Sequence, residues 1–145
     1  MPDREPTITV WNRQRIVPIK LVALQDFAQR ALRQCLKSSG RKSGILTDLQ
    51  ELNVILVSDR RIAELHRRFL QQPGPTDVIT FQHGEIVVSA ETARNQAHGF
   101  RTSLGHELRL YIAHGLLHLH GFEDKTSVGA AEMKRIQEKL VASCR

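Results

Sequence analysis

The sequence is poor in the residues that would signal a special architecture. It has two cysteines, one tryptophan, one tyrosine and five prolines in 145 residues, and aromatic residues make up 5% of it. Two cysteines, Cys35 and Cys144, cannot build a disulfide framework, so the fold must rest on its apolar core. The longest uncharged stretch near a helix signal, Leu110 to Leu119, is far too short to span a bilayer. Pro2-Asp3-Arg4-Glu5 is polar and does not read as a secretory leader. No repeat, linker or low-complexity segment divides the chain. These absences predict a cytoplasmic protein in a reducing compartment, with no membrane partner.

What is present is ordinary globular material: 41% hydrophobic and 25% charged residues. A chain of this length fits one domain, residues 1–145, and buries roughly 70% of its unfolded surface without staples. The net charge of +6 is uneven. Residues 1–50 carry nine Lys/Arg against four Asp/Glu, residues 51–100 five against six, and residues 101–145 seven against five. A basic excess suits an anionic partner such as nucleic acid, and equally suits plain solubility.

Periodicity predicts the elements. Ile8 to Trp11 alternates as a strand. After Pro18 an amphipathic helix carries Leu21, Leu24, Phe27, Ala28, Ala31, Leu32, Cys35 and Leu36 at helical spacing, and Ser38-Ser39-Gly40 stops it. Arg41 to Gly44 is a basic turn. Glu51 to Val57 is the strongest strand signal. Ser58-Asp59 caps a short helix containing Ile62, Leu65 and Phe69, with Arg60, Arg61, Arg67 and Arg68 around it. Gln71 to Pro75 is a loop, and Asp77 to Phe81 and Glu85 to Ser89 are strands turned at His83-Gly84. Ser89 caps a short helix through His98 that Gly99-Phe100-Arg101 breaks. Ser103 starts a long, mostly apolar helix, Leu104 to His120, ended by Gly121. A last helix runs from Ser127 to Ala142 with Ala131, Met133, Ile136, Leu140 and Val141 inward, and leaves Cys144 in a fraying tail. The expected fold is α+β: a small mixed sheet of four strands packed with about five helices.

Five of the seven histidines lie beyond residue 97, and three fall in one stretch, His114 to His120. His114 and His118 are four apart on a helix, so both imidazoles project from one face and can clamp one metal ion. Gly121 then reverses the chain, which lets Asp124 swing back as a third donor. Three protein ligands with an open fourth position are the arrangement of a catalytic zinc site. His120 and Glu123 compete as ligands: His120 lies about 200° around the helix from His118, and Glu123 neighbours Asp124. A zinc peptidase of the H-E-x-x-H kind keeps its general base where this chain has Gly115, so that chemistry lacks its base.

His114-Gly115-Leu116-Leu117-His118-Leu119-His120-Gly121-Phe122 resembles the signature of the YbeY family. Pro75 to Phe81 (PTDVITF) and Gly84 to Ser89 (GEIVVS) resemble two further blocks of that family, in the same order. The resemblance covers nearly the whole chain. It implies a zinc-dependent, single-strand-specific endoribonuclease acting in 16S rRNA 3′-end maturation and ribosome quality control. The implied partners are single-stranded rRNA, the small ribosomal subunit, and ribosomal proteins or a GTPase. Two positions depart from the pattern. Asp124 stands where the family has its third histidine, which makes the site less positive and its zinc a weaker Lewis acid. Leu70 stands where the family has an arginine implicated in activity. Arg67 or Arg68, one turn earlier, are then the candidates for stabilising charge at the phosphate, with Lys125 a further one. His83 and Ser89 are candidates for the cleft. Arg30, Arg33, Lys37, Arg41 and Lys42 are expected to dock RNA or the ribosome. The other readings are a ribosome-assembly factor whose metal is mainly structural, and another zinc hydrolase such as a peptidase.

Overall fold

In the computed structural model, which describes residues 5–144, the β-formers of the first segment make β1 (Thr7–Asn12), and the apolar stripe after Pro18 makes α1 (Leu21–Lys37). A single 3-10 turn, Leu46–Asp48, precedes β2 (Glu51–Val57). Then follow α2 (Asp59–Leu70), β3 (Val78–Phe81), β4 (Glu85–Ser89), α3 (Ala90–Phe100), α4 (Leu104–Leu119) and α5 (Ser127–Ser143). The sheet order is β1-β2-β4-β3. β1 and β4 lie parallel to β2, and β3 closes the edge antiparallel to β4. The result is the expected α+β domain with a mixed four-stranded sheet and five α-helices. The polar opening Pro2 to Arg4 lies outside the described residues.

Period-two alternation divides the strands between two faces. Leu52, Val54 and Leu56 of β2, with Ile86 and Val88 of β4, face the main core with α1 and α4. Val57, Ile79 and Val87 face a smaller cluster closed by Ile62 of α2. Short polar side chains start the later helices. Ser58, Ser89, Ser103 and Thr126 each accept from the backbone N–H three residues on, at 3.2, 3.1, 3.0 and 3.0 Å.

Helix α4 is central, packing on α1, α3, α5, β3 and β4. It lies close to β4 because position 115 has no side chain: a Cβ on Gly115 would sit 2.6 Å from Ile86 Cγ2. Its C-terminal end is clamped from outside. Arg41 N donates to His120 O and Ile45 N to Leu119 O, both at 2.8 Å. Gly121 turns the chain there with φ +96°, and a Cβ would meet Arg41 O and Gly44 N at 2.8 Å.

Several local expectations are corrected. α3 runs through Gly99 to Phe100, and the break comes at Arg101, whose left-handed φ of 55° caps the helix. Leu21 is exposed because it opens α1 beyond the reach of the core. The spacing leaves the burial of Phe69 open; it is half-exposed and meets Phe81 edge-on with ring centres 5.4 Å apart, which covers the free edge of the sheet at β3. Ala131 is exposed because it falls about 200° around α5 from buried Met133. Cys144 is no loose end: its N–H bonds to Leu140 O at 3.1 Å, and it packs in the main core with Cys35.

Candidate metal centre

The i, i+4 spacing on α4 brings His114 and His118 together as the helix geometry requires. Their rings meet edge-on with centres 4.5 Å apart, and the two Nε2 atoms are 2.9 Å apart. The Gly121 reversal returns Asp124 to the same place, with Oδ2 3.5 Å from His114 Nε2 and 3.8 Å from His118 Nε2. The three donor atoms lie within 4.8 Å of one another and could hold one metal ion. The imidazoles are half-buried and Asp124 is exposed, so the group faces solvent on one side.

The donor chemistry fits a cation. His114 Nδ1 is 3.0 Å from Gln137 Oε1, and His118 Nδ1 is 3.1 Å from the carbonyl oxygen of Phe122. Both partners are acceptors, so each Nδ1 carries the proton and each Nε2 presents a lone pair. Two lone pairs 2.9 Å apart repel, and a cation shared between them and the Asp124 carboxylate resolves the conflict. Donors about 2.0–2.2 Å from one ion sit roughly 3.3–3.6 Å apart in a tetrahedral set, so the His114–Asp124 spacing already fits, the His–His pair must open and the His118–Asp124 pair must close slightly. Burial, and then the neighbouring His114, hold the His118 imidazole below its ordinary value against the opposite pull of Asp124. It is therefore neutral, as a ligand must be.

The competing ligands are placed elsewhere. His120 is buried, and its Nε2 donates to Ser38 O at 3.0 Å, so it holds the end of α1. Glu123 is exposed and borders the groove without joining the three donors.

That groove, about 740 Å³, runs between β3 and the loop after α4, with Leu70, Thr76, Asp77, Thr80 and Lys125 among its walls. Lys125 is the cation on its wall. Arg67 and Arg68 are exposed on α2, outside the wall, and the Arg68 guanidinium lies 5.4 Å from the Phe69 ring centre. Leu70 stands on the wall itself. His83 bonds to Glu85 and stacks on Phe81, outside the groove. Ser89 is buried at the end of the inner strand β4 and bonds to Asp59, again outside the groove. Of the basic residues of the first third, Arg33 pairs with Glu5 and Arg41 with Glu132 at 2.8 Å. Arg41 and Lys42 border a shallow depression that shares Ser43, Gly121, Phe122 and Glu123 with the metal groove.

Three residues near the group were not singled out in the sequence. Glu107 is buried on α4 at the 107-111-114-118 spacing that places it on the histidine face. Periodicity alone could have found it. Between them stands Tyr111, whose buried hydroxyl has no hydrogen-bond partner among the described residues. Gln137 comes from α5, and no local signal marks it.

Fold and site together define a small α+β domain that presents a His-His-carboxylate group able to hold a metal ion in an open groove. Residues 9–145 match the family model described as Endoribonuclease YbeY, and the chain belongs to that family. It is 31% identical over 145 residues to the "Endoribonuclease YbeY" of Frankia alni, covering 86% of this chain and 74% of that protein. It is 32% identical over 130 residues to that of Moorella thermoacetica, covering 77% and 83%. Matches to several other relatives span 52–63% of their length. The solution structure of TM1509 from Thermotoga maritima superimposes with a TM-score of 0.60 at 31% identity, covering 93% of this chain and 87% of that one.

Proposed function

We propose that this chain is a zinc-dependent endoribonuclease that cleaves single-stranded RNA in 16S rRNA 3′-end maturation and ribosome quality control, working in the cytoplasm on the small ribosomal subunit. The observation that carries the reading is the three-donor group at the floor of an open groove. His114, His118 and Asp124 would hold the ion. When bound, zinc supplies Lewis acidity toward a phosphoryl oxygen and lowers the pKa of a bound water. The chain's own residues do the rest. Gln137 and the Phe122 carbonyl hold both imidazoles in the tautomer that offers Nε2. Lys125 on the groove wall is placed to offset charge at the phosphate, with Arg67 and Arg68 reserved for a strand that extends past Leu70. Arg41 and Lys42 would hold RNA beside the groove, with Arg30, Arg33 and Lys37 extending the basic surface. Ribosomal proteins or a GTPase are the implied protein partners.

The decisive experiment is cleavage of single-stranded rRNA fragments with and without chelator. Chelator-sensitive cleavage, restored by zinc, is expected. Metal bound at one equivalent with no cleavage above background would sink this reading and leave a ribosome-assembly factor with a structural ion. That second reading is motivated by Leu70 on the groove wall.

A further inference from the structure

The metal group has a second mouth. A groove of about 430 Å³ between α4 and α5 also ends on His114 and Asp124, on the side away from β3. Its floor is apolar, with Leu110 and buried Met133. Its rim carries Phe100, an aromatic ring left 69% exposed, and Lys134. Glu107 lines it while only 4% exposed. This carboxylate receives one hydrogen bond, from Thr102 Oγ1 to Oε1 at 2.9 Å, which leaves acceptor capacity on Oε2. Oε2 receives no hydrogen bond from another described residue, and Glu107 lines the groove, so this acceptor is available to a ligand there.

We propose that this groove is a nucleobase subsite for the nucleotide flanking the scissile phosphate, and that Glu107 selects bases bearing an exocyclic amino group. The proposal rests on the RNA-cleaving reading. A strand crossing the metal must continue on both sides of it, and this groove and the β3 groove both include His114 and Asp124. An apolar floor beside an exposed ring suits a base face, since stacking is how single strands are held. Lys134 at the rim meets the backbone phosphate. The Glu107 carboxylate accepts from the amino group of adenine or cytosine, and uracil has no such donor.

The test uses metal-loaded full-length protein and single-stranded hexamers of A, C or U with non-hydrolysable linkages, followed by fluorescence anisotropy. A and C hexamers should bind about fivefold or more tighter than U. Glu107→Gln should compress that ratio toward one. Phe100→Ala, a surface change, should weaken all three by about tenfold. Ala130→Trp, which fills the groove from its exposed wall, should do the same if Glu107→Gln fails to fold. Metal content should stay at the wild-type level in the two surface variants. If Phe100→Ala and Ala130→Trp bind every hexamer as the parent does, the subsite is wrong while RNA binding stands. If the parent binds and cleaves no RNA, the functional reading itself has failed.

Discussion

Asp124 is the residue on which the site's character turns. It is the exposed member of the donor group. Asp124→Ala should strip most of the bound zinc, while Glu123→Ala should leave about one equivalent, as read by elemental analysis. The reverse pattern would reassign the third donor. Behind His114 stands Gln137, whose acceptor fixes the tautomer. Gln137→Leu should lower zinc affinity by about 10- to 100-fold, measured by chelator competition. His118 sets a pH dependence with a definite sign. Its folded value lies below the ordinary 6.5, so the unfolded chain takes up the proton first as pH falls. Stability of the metal-stripped protein is therefore full above pH 6.5 and declines below it. A denaturation midpoint that rises on acidification would contradict the lowered value. At this scale the sequence was most legible where the candidate site is local: His114, His118 and Asp124 share eleven consecutive residues and a helix geometry that can be calculated. Gln137 was hidden because its contact comes from packing of α5 on α4.

The elements were legible where periodicity is strong. β2 and the serine-capped helices begin where alternation and caps put them, since those signals act within three or four residues. Legibility ends where neighbours decide. Phe69 has helical spacing appropriate to a core position, yet it meets Phe81 at the sheet edge. Cys144 falls at a helix end, yet α5 folds it against the core. Two glycines bind the elements to the site. Gly115→Ala forces a methyl into Ile86 and should cost about 1–3 kcal/mol by denaturant titration. Gly121→Ala adds a positive-φ strain of about 1–3 kcal/mol, and should also lower zinc affinity, because Asp124 hangs on that turn. An effect on stability without one on zinc affinity would show that the turn does not aim the carboxylate.

For the molecule as a whole, the buried thiols report on the integrity of the core. Burial pushes the Cys35 thiol up to about 12, so it stays protonated and unreactive at neutral pH. The unfolded chain ionises near the ordinary 9.0, so this group's stabilising contribution is complete below that value and is lost as pH rises toward 12. Thiol labelling at neutral pH should be slow until denaturant is added; fast labelling in the native state would contradict the packing. The charge asymmetry also acquires a place. Replacing Arg41 and Lys42 should weaken RNA binding and reduce its salt dependence without changing metal content. Their position in the first third of the sequence concealed that they border the loop that carries Asp124.

The clamp on the end of α4 bears on the order in which the protein matures. Residues 119 and 120 are tied by backbone bonds to residues 41 and 45, so the turn that delivers the third donor depends on a contact between distant parts of the chain. A peptide carrying the histidine motif alone has the donors without the clamp. Contacts of such long sequence separation form late, after much of the chain's freedom has been spent. Tight capture of a metal ion would thus be a timestamp: the third donor is delivered only once these two distant segments have met, and a half-assembled molecule would lack it.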